Sequence, residues 1–524
     1  MELTLSFWNW LLAFSPVLVV VVLMLVFRWG GSRAGGLGWF VAVLTAVVFF
    51  GARFELLAYS QVKAILLSLD VLYIIWAALL LFNIAREAGA IRMIGRALPG
   101  LTGDRVMQSL LIGWLMVSFL QGMGGFGVPV AVCAPLLVGL GFTPVQAVAM
   151  AAIGHGWAVT YGSLASSFQT LIAVTGLPGE VLAPYTALLL GISAPVAGLL
   201  VALIGNGWKG LKRAVLPVLA IGSVMGLAQY LLATNGLWTL GATGGAIAGL
   251  LVGLVLVRLP AYRAKPDAEA VEPPAAEDKG KSLWLSLLAY GLLVVLAFSI
   301  NLIPPLDNFL SQVKLTMNFP ELETSLGWVT EAGAGRAINI FGHPGAILLY
   351  TSIISYIIYR KVGYIRKGAL KGILGRVVKS GVNSSLGIVA MVGLASVMLH
   401  SGMTYLLAEG LSVGFGPKVF PLVSPFIGAL GAFITGSNNN SNVLFAALQM
   451  NTAELLHLDV LLILAAQTAG GALGSVLAPA KVIVGCSTVG LGGKEGEVMR
   501  KLLGYGGVTV GVVALAAFII NLVI

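Results

Sequence analysis

Apolar runs long enough to cross a lipid bilayer recur along almost the whole chain, and no other feature restricts its fold as strongly. They lie near residues 9–27, 36–50, 64–84, 106–123, 185–204, 214–232, 240–257, 283–303, 344–359, 383–408 and 504–524. A hydrocarbon core of ~30 Å takes about 20 helical residues to cross, so most runs suffice and 36–50 is short. Further apolar material fills 128–176 and 419–491, which brings the expected total to about 12 to 14 crossings. Inside hydrocarbon every backbone N–H and C=O must be bonded within the protein, and helices do this segment by segment. The chain is 58% hydrophobic and 10% charged. Soluble domains carry about 25% charged residues, so a soluble enzyme is excluded and a polytopic membrane protein is expected.

The formal net charge of +10 resembles a nucleic-acid signal, but the basic residues fall in short loops between apolar runs, where they set topology. Arg28 and Arg33 follow the first run, and Arg86, Arg92, Arg96 and Arg105 follow the third. Lys209, Lys212 and Arg213 form the next basic loop; Arg258, Arg263, Lys265, Lys279 and Lys281 bracket the linker KPDAEAVEPPAAEDKGK. The densest patch runs from Arg360 to Lys379. All lie on one side if both termini are extracytoplasmic, and that side is then cytoplasmic. The expected division is an N-terminal membrane half at 1–260, a cytoplasmic linker at 261–282 and a C-terminal membrane half at 283–524. The mildly acidic loop 304–342 then faces out. Cys133 and Cys486 sit in apolar contexts and give no disulfide framework. The first run has no basic segment before it and no small-residue cleavage site after it, so a retained helix is expected.

The stretch FITGSNNNSNVLFAALQ, residues 433–449, concentrates amides between apolar flanks that carry no charged rim. Unsatisfied amides in hydrocarbon are costly, so these groups are expected at a functional break within the membrane. At an offset of 312 residues GGFGVPV (124–130) falls on GSNNNSN (436–442), and GSLASSFQTLIAVTG (162–176) falls on GSVLAPAKVIVGCST (474–488). The charge pattern introduces the first copy from the cytoplasmic side at Arg105 and the second from outside near Lys418. Inverted repeats with interrupted helices are a recurrent plan of secondary transporters, with substrate held near the midplane. The expected fold class is therefore an all-α polytopic membrane protein with inverted-topology repeats, discontinuous helices and re-entrant hairpins. Repeat 1 is placed at about 106–204 and repeat 2 at about 419–524.

Freed helix ends point partial charge inward and can hold an anion. In the first copy the candidate binding residues are Gln121, Gly124, Gly125, Phe126 and Gly127, with Pro129 starting a new helix. In the second they are Ser437, Asn438, Asn439, Asn440, Ser441 and Asn442. The second breaks, GHGWAVTYGSLASSFQ and AAQTAGGALGSVLAPAKVIVGCS, add Thr160, Tyr161, Ser163, Ser475 and Lys481, while Trp157, Gln169, Gln467 and Thr468 offer further polar atoms. Serines and threonines in membrane helices often bond only their own i−4 carbonyl. Lys481 follows Pro479 in an apolar stretch, 13 residues from Lys494. That is about 20 Å of helix, long for snorkelling to the interface, so a cavity, a carboxylate or substrate is expected beside it. Asp70, in LLSLDVLYIIW, is the leading proton-coupling candidate and His155 the second; a structural ion pair is the alternative for Asp70. His400 is weaker, and His343, Glu409, Glu454, His457 and Asp459 are expected near span ends. No nucleotide loop or metal-ligand spacing occurs, so no cofactor, metal or enzymatic activity is expected. No short repeated filter suggests a channel.

With these segments the chain resembles the L-lactate permease family, which includes glycolate permeases. FLQGMGGFGVPVAVCAPLLVGLGF (119–142), IGHGWAVTYGSLASSFQTL (153–171), SPFIGALGAFITGSNNNSNVLFAALQ (424–449) and LAAQTAGGALGSVLAPAKVIVGCSTVGLGGKEG (464–496) carry the resemblance. It implies a multi-pass protein of a bacterial-type inner membrane that imports L-lactate, D-lactate and glycolate with protons. The partners are then a small monocarboxylate, a proton and the bilayer. A sodium-coupled organic-anion transporter is the alternative, and a non-transporting structural or sensory membrane subunit is the alternative of another class.

Overall fold

A computed structural model of the protein describes residues 4–27, 29–90, 93, 101–125, 127–263, 281–335, 337–491 and 495–524. Phe126, most of the linker (264–280), and the basic residues Arg28, Arg92, Arg96, Lys265, Lys279 and Lys494 lie outside the described residues.

Helices dominate, as expected where backbone groups have no water to bond. In chain order they are α1 (Phe7–Leu25), α2 (Gly31–Phe49), α3 (Phe54–Glu87), α4 (Arg105–Met123), α5 (Val128–Gly139), α6 (Pro144–Gly154), α7 (Gly162–Thr175) and α8 (Gly179–Thr234). After α9 (Trp238–Leu256) come α10 (Leu288–Leu302), α11 (Pro344–Lys361), α12 (Ala369–His400) and α13 (Met403–Thr435). The chain ends with α14 (Asn438–Leu455), α15 (Val460–Ser475), α16 (Pro479–Thr488) and α17 (Glu495–Val523). Among the described residues, nine helices are long and apolar enough to cross a membrane. Two sequence runs, 185–204 and 214–232, are limbs of the single 56-residue α8, bent at Gly207 where φ is +65°. Short polar caps mark many starts. Asp104 accepts from the N–H groups of Val106 and Met107, Thr143 and Gln146 form a capping box ahead of α6, and Asp459 caps α15.

Helix α12 packs along α2 and α3, with α1, α10 and α11 beside them. A second group joins α4–α9 to α13–α17, and the groups meet where α3 touches α7, α12 touches α14 and α1 touches α13. Large apolar side chains such as Phe40, Leu44, Leu216, Leu251 and Leu515 are exposed on the helix surfaces, as a lipid solvent requires. Between α10 and α11 six two-residue strands pair in nested antiparallel fashion, Lys314 with Asn339, Asn318 with Ala334 and Leu322 with Thr330. The hairpin docks on the helices through Ser325 N–H, which donates to the Gly51 carbonyl at 2.9 Å.

The first limb of α8 serves as a ruler for the repeats. Asn206 donates to Ser109 at 3.0 Å and Gln146 donates to the Ile204 carbonyl at 2.9 Å, which puts the open end of the α4–α5 hairpin at one end of the limb. Asp459, at the open end of the α13–α14 hairpin, is within electrostatic reach of Tyr185 near the other end. From Tyr185 to Ile204 a straight helix rises about 28 Å. The two hairpins therefore enter from opposite ends, the inverted arrangement expected from the charge pattern.

Candidate functional site

Each repeat supplies one hairpin tip and one broken span. Helix α4 stops where the chain extends at Gly124, then turns through Gly125 and Gly127 into α5, with Pro129 in the first turn. Gly127 has φ +84°, which favours glycine. A Cβ on Gly124 would stand 2.9 Å from the Phe82 ring, and one on Gly125 would stand 2.5 Å from Ser163 Oγ, so the tip is bare because its neighbours fill that space. The second hairpin turns at Gly436, φ +74°, and extended Ser437 before α14 begins at Asn438.

The broken spans lie against these tips. After α6 the chain passes through His155 and a single 3-10 turn (Gly156–Ala158) before α7. Ser163, Leu164 and Ala165 then adopt left-handed φ values of 46°, 58° and 62°. Left-handed backbone costs about 1–2 kcal/mol per non-glycine residue and persists only where the surroundings enforce it. Here Gly125 N–H donates to Ser163 Oγ at 2.8 Å, Ala165 N–H donates to the Tyr161 carbonyl at 3.2 Å and Phe168 N–H donates to the Thr160 carbonyl at 3.2 Å. In the second repeat, Val476–Ala478 separate α15 from α16.

The asparagines join the repeats. Asn438 Nδ2 donates to Thr160 Oγ1 at 3.0 Å and to the Thr468 carbonyl at 3.2 Å. Asn442 Nδ2 donates to the Ser167 carbonyl and to Thr468 Oγ1, both at 2.9 Å. Ser167 Oγ donates to Asn439 Oδ1 at 2.6 Å. The Gly125–Ser163 contact and the Asn439–Ser167 contact thus fall on the same short stretch of α7, one on the first hairpin and one on the second. The amide oxygens of Gln121, Asn438, Asn440 and Asn442 are buried with no donor among the described residues.

A cavity of about 280 Å³ opens between α3, α12 and the first tip. Gly124, Gly125, Val128 and Ser163 line it on one side; Phe82, Asn83, Arg86, Arg376 and Lys379 line it on the other. Helix N-termini at α5 and α7 and three cationic side chains make its walls electropositive.

The other candidates are dispersed. Tyr161 donates to the Ala183 carbonyl at 3.3 Å and packs on Phe168, facing α8. Ser441 donates to the Gly428 carbonyl at 2.7 Å inside its own hairpin. Lys481 donates to Ser475 Oγ at 3.1 Å, a pair in the second broken span. His155 is buried, its Nδ1 2.7 Å from the Ala151 carbonyl and its Nε2 without a partner among the described residues. Asp70 is buried with one carboxylate oxygen 3.0 Å from His343 Nε2, and Tyr73 stacks on that imidazole. It sits midway along α3, about three helical turns from Phe82, and so stands apart from the cavity. His400 lies 3.3 Å from Lys63. Sequence reasoning missed Phe82, Asn83, Arg376 and Ser167. The arginine belonged to a patch that reads as a topology signal, and Ser167 carries no mark beyond its place in the 153–171 motif.

A model of the family described as L-lactate permease matches residues 9–524. The chain is 29% identical to the glycolate permease GlcA of Escherichia coli, covering 94% of this chain and 91% of that one. It is 27% identical to the L-lactate permease of Escherichia coli and 26% identical to that of Halalkalibacterium halodurans, each over 94% of this chain and 92% of the relative. Among solved structures it is similar to the YdaH transporter of Alcanivorax borkumensis, with a TM-score of 0.45 and 16% identity over 86% of this chain and 85% of that chain.

Proposed function

The chain belongs to the L-lactate permease family, and from that premise we propose that it imports L-lactate and related small 2-hydroxy monocarboxylates, D-lactate and glycolate among them, together with a proton. It is a multi-pass membrane protein and a permease rather than an enzyme. The observation that carries the proposal is the Gly125–Ser163 bond, which joins a bare hairpin tip to a left-handed helix start on the wall of an electropositive cavity. A carboxylate fits the Ser163 hydroxyl proton and those N-terminal N–H groups of α5 and α7 that are not already bonded, Val128, Gly162 and Ala165 being spent. The partners we assign to the 2-hydroxyl group are the amides of Asn438, Asn439 and Asn440 on the second hairpin, which stand outside the cavity's own lining. Gln121, Gly127, Thr160, Ser437 and Asn442 shape the pocket, while Tyr161, Ser441, Ser475 and Lys481 support the spans that form it.

Moving the anion with a proton removes net charge from the crossing step, which otherwise opposes an inside-negative potential. The proton-coupling candidates are Asp70, paired with His343, and His155, a buried imidazole whose Nε2 has no partner among the described residues. The proposal keeps the positive-inside orientation: basic loops and linker 261–282 cytoplasmic, loop 304–342 and both termini outside, in a bacterial-type inner membrane. The halves 1–260 and 283–524 then contribute one repeat each, at about 106–204 and 419–524. The buried amide oxygens without donors favour a second reading, sodium in place of the proton, because they are acceptors a cation could use.

Proteoliposomes with separately imposed gradients decide between them. Inward proton gradients should drive accumulation of labelled L-lactate without sodium. Accumulation driven by sodium alone removes the proton from the scheme, and absence of flux under either gradient removes the transport function.

A further inference from the structure

Arg86 and Arg376 line both the cavity beside Gly125 and a second cavity of about 370 Å³, so their side chains stand between the two. The second cavity adds Lys281 and Arg366, so cationic side chains line both cavities, with Glu87 the acidic group in the second. Arg376 stands at the junction. Its Nη2 donates to Glu87 Oε2 at 2.5 Å and its Nε donates to Asn83 Oδ1 at 3.2 Å. Asn83 is itself held by its Nδ2, which donates to the Leu79 carbonyl at 2.8 Å, so the guanidinium is aimed by α3. The Arg376 and Glu87 side chains are 40% and 31% exposed, which leaves both open to an ion in the cavity.

We propose that Arg376, with Arg86 beside it, is a transfer station for the substrate's carboxylate, and that Glu87 occupies this station as a tethered carboxylate between transport events. The inference rests on the monocarboxylate-transport reading above. The chemistry is exchange of one carboxylate for another on a guanidinium fork. The guanidinium presents several donors, so an incoming anion bonds before Glu87 has fully left. A partly solvated ion pair is weak enough to exchange, unlike a buried pair. Once Glu87 is displaced, Lys379 is the further cationic group in the cavity that Ser163 lines. Narrow clefts lined by one sign of charge raise the local concentration of the opposite ion by about 10–1,000-fold, so the station governs capture and release rather than the crossing itself.

Three variants test this: Arg376→Gln, Arg376→Lys and Glu87→Gln. L-lactate KM is measured in right-side-out and inside-out vesicles, which expose opposite faces. Arg376→Gln is expected to raise KM about tenfold at the face onto which the cavity opens, cytoplasmic by the charge pattern, and to change it less than about twofold at the other. High salt should shrink the difference. Arg376→Lys keeps the charge and loses the fork, so an intermediate KM is expected, and it stands in if the glutamine variant fails to assemble. Glu87→Gln breaks the same pair while leaving the cation, so its KM should fall or stay unchanged. Parallel loss of activity in Arg376→Gln and Glu87→Gln identifies a structural pair and overturns the inference. So does a KM in Arg376→Gln that is unchanged at both faces. Wild-type flux in the same vesicles tests the underlying transport reading separately, because its absence has nothing to do with Arg376.

Discussion

At the scale of single residues, the site depends on side chains that are missing as much as on those present. Gly125 has no Cβ, and the space is filled by Ser163 Oγ at what would be 2.5 Å. In Gly125→Ala the serine must leave, its bond to the Gly125 N–H breaks, and the left-handed turn loses one of its holders. Initial-rate L-lactate uptake per transporter should fall by at least about tenfold, the equivalent of one lost bond of about 1.4 kcal/mol, while membrane abundance is largely kept. The asparagines separate into two kinds. Asn442 spends its amide on the Ser167 carbonyl and Thr468, so Asn442→Ala removes two buried hydrogen bonds and should lower stability by about 1–3 kcal/mol, read as a lower unfolding midpoint in detergent. Asn439 accepts a single bond, from Ser167, and Asn439→Ala should weaken uptake with less effect on that midpoint. The amides were legible in the sequence because polarity in apolar surroundings demands a reason. Their division of labour was not, because it is set by Thr160, Ser167 and Thr468, which approach from distant parts of the chain.

At the scale of elements, helices cross so closely that carbonyls touch the partner's backbone. A Cβ on Gly154 would lie 1.8 Å from the Gly113 carbonyl oxygen, in the π-helical part of α4 (Leu111–Met116). The equivalent contact in the second repeat is Gly470 on the Pro425 carbonyl oxygen, at 1.9 Å. Neither obstacle is a flexible side chain, so the helices themselves must part to admit a larger residue. Gly470→Val should therefore destabilise the protein by about 3 kcal/mol or more, seen as loss of monodisperse protein on solubilisation. Gly504→Ala on α17, where nothing lies within 4 Å, should stay within about 0.5 kcal/mol of the parent or gain slightly from helix propensity. Helix starts and hairpin tips could be anticipated from glycine, proline and capping residues such as Thr143 and Asp459. The left-handed turn at Ser163–Ala165 could not, because no residue type there favours positive φ; tertiary bonds impose it.

At the scale of the molecule, opposite-facing hairpins bring Gly125 and Asn439 onto one stretch of α7, and the helix group around α3 and α12 closes the cavity from the side. Repeat offset and loop charge foreshadow that convergence, since both depend on sequence alone. The cavity's charged lining was hidden, because Arg86 and Arg376 read in the sequence as basic-loop charges whose topological role explains them without any ligand, whereas both stand on helices, α3 and α12. The whole-molecule question that follows is how the substrate path is coupled to an ion, and Asp70 lies midway along α3, 16 residues from Arg86. His343 Nδ1 accepts from the Gly345 N–H at 3.1 Å while capping α11, so the ring's proton sits on Nε2 and is donated to Asp70. A proton added to Nδ1 must break that cap, and a proton added to the carboxylate must weaken its pairing with His343. Either event alters how α3 is tied to α11 at this point. If Asp70 carries the coupled proton, Asp70→Asn should lower gradient-driven L-lactate accumulation about tenfold or more while counterflow, which needs no net proton movement, stays within about threefold of the parent. Equal loss in both assays would place Asp70 among the structural ion pairs and leave His155, on the broken span itself, as the group to test for coupling.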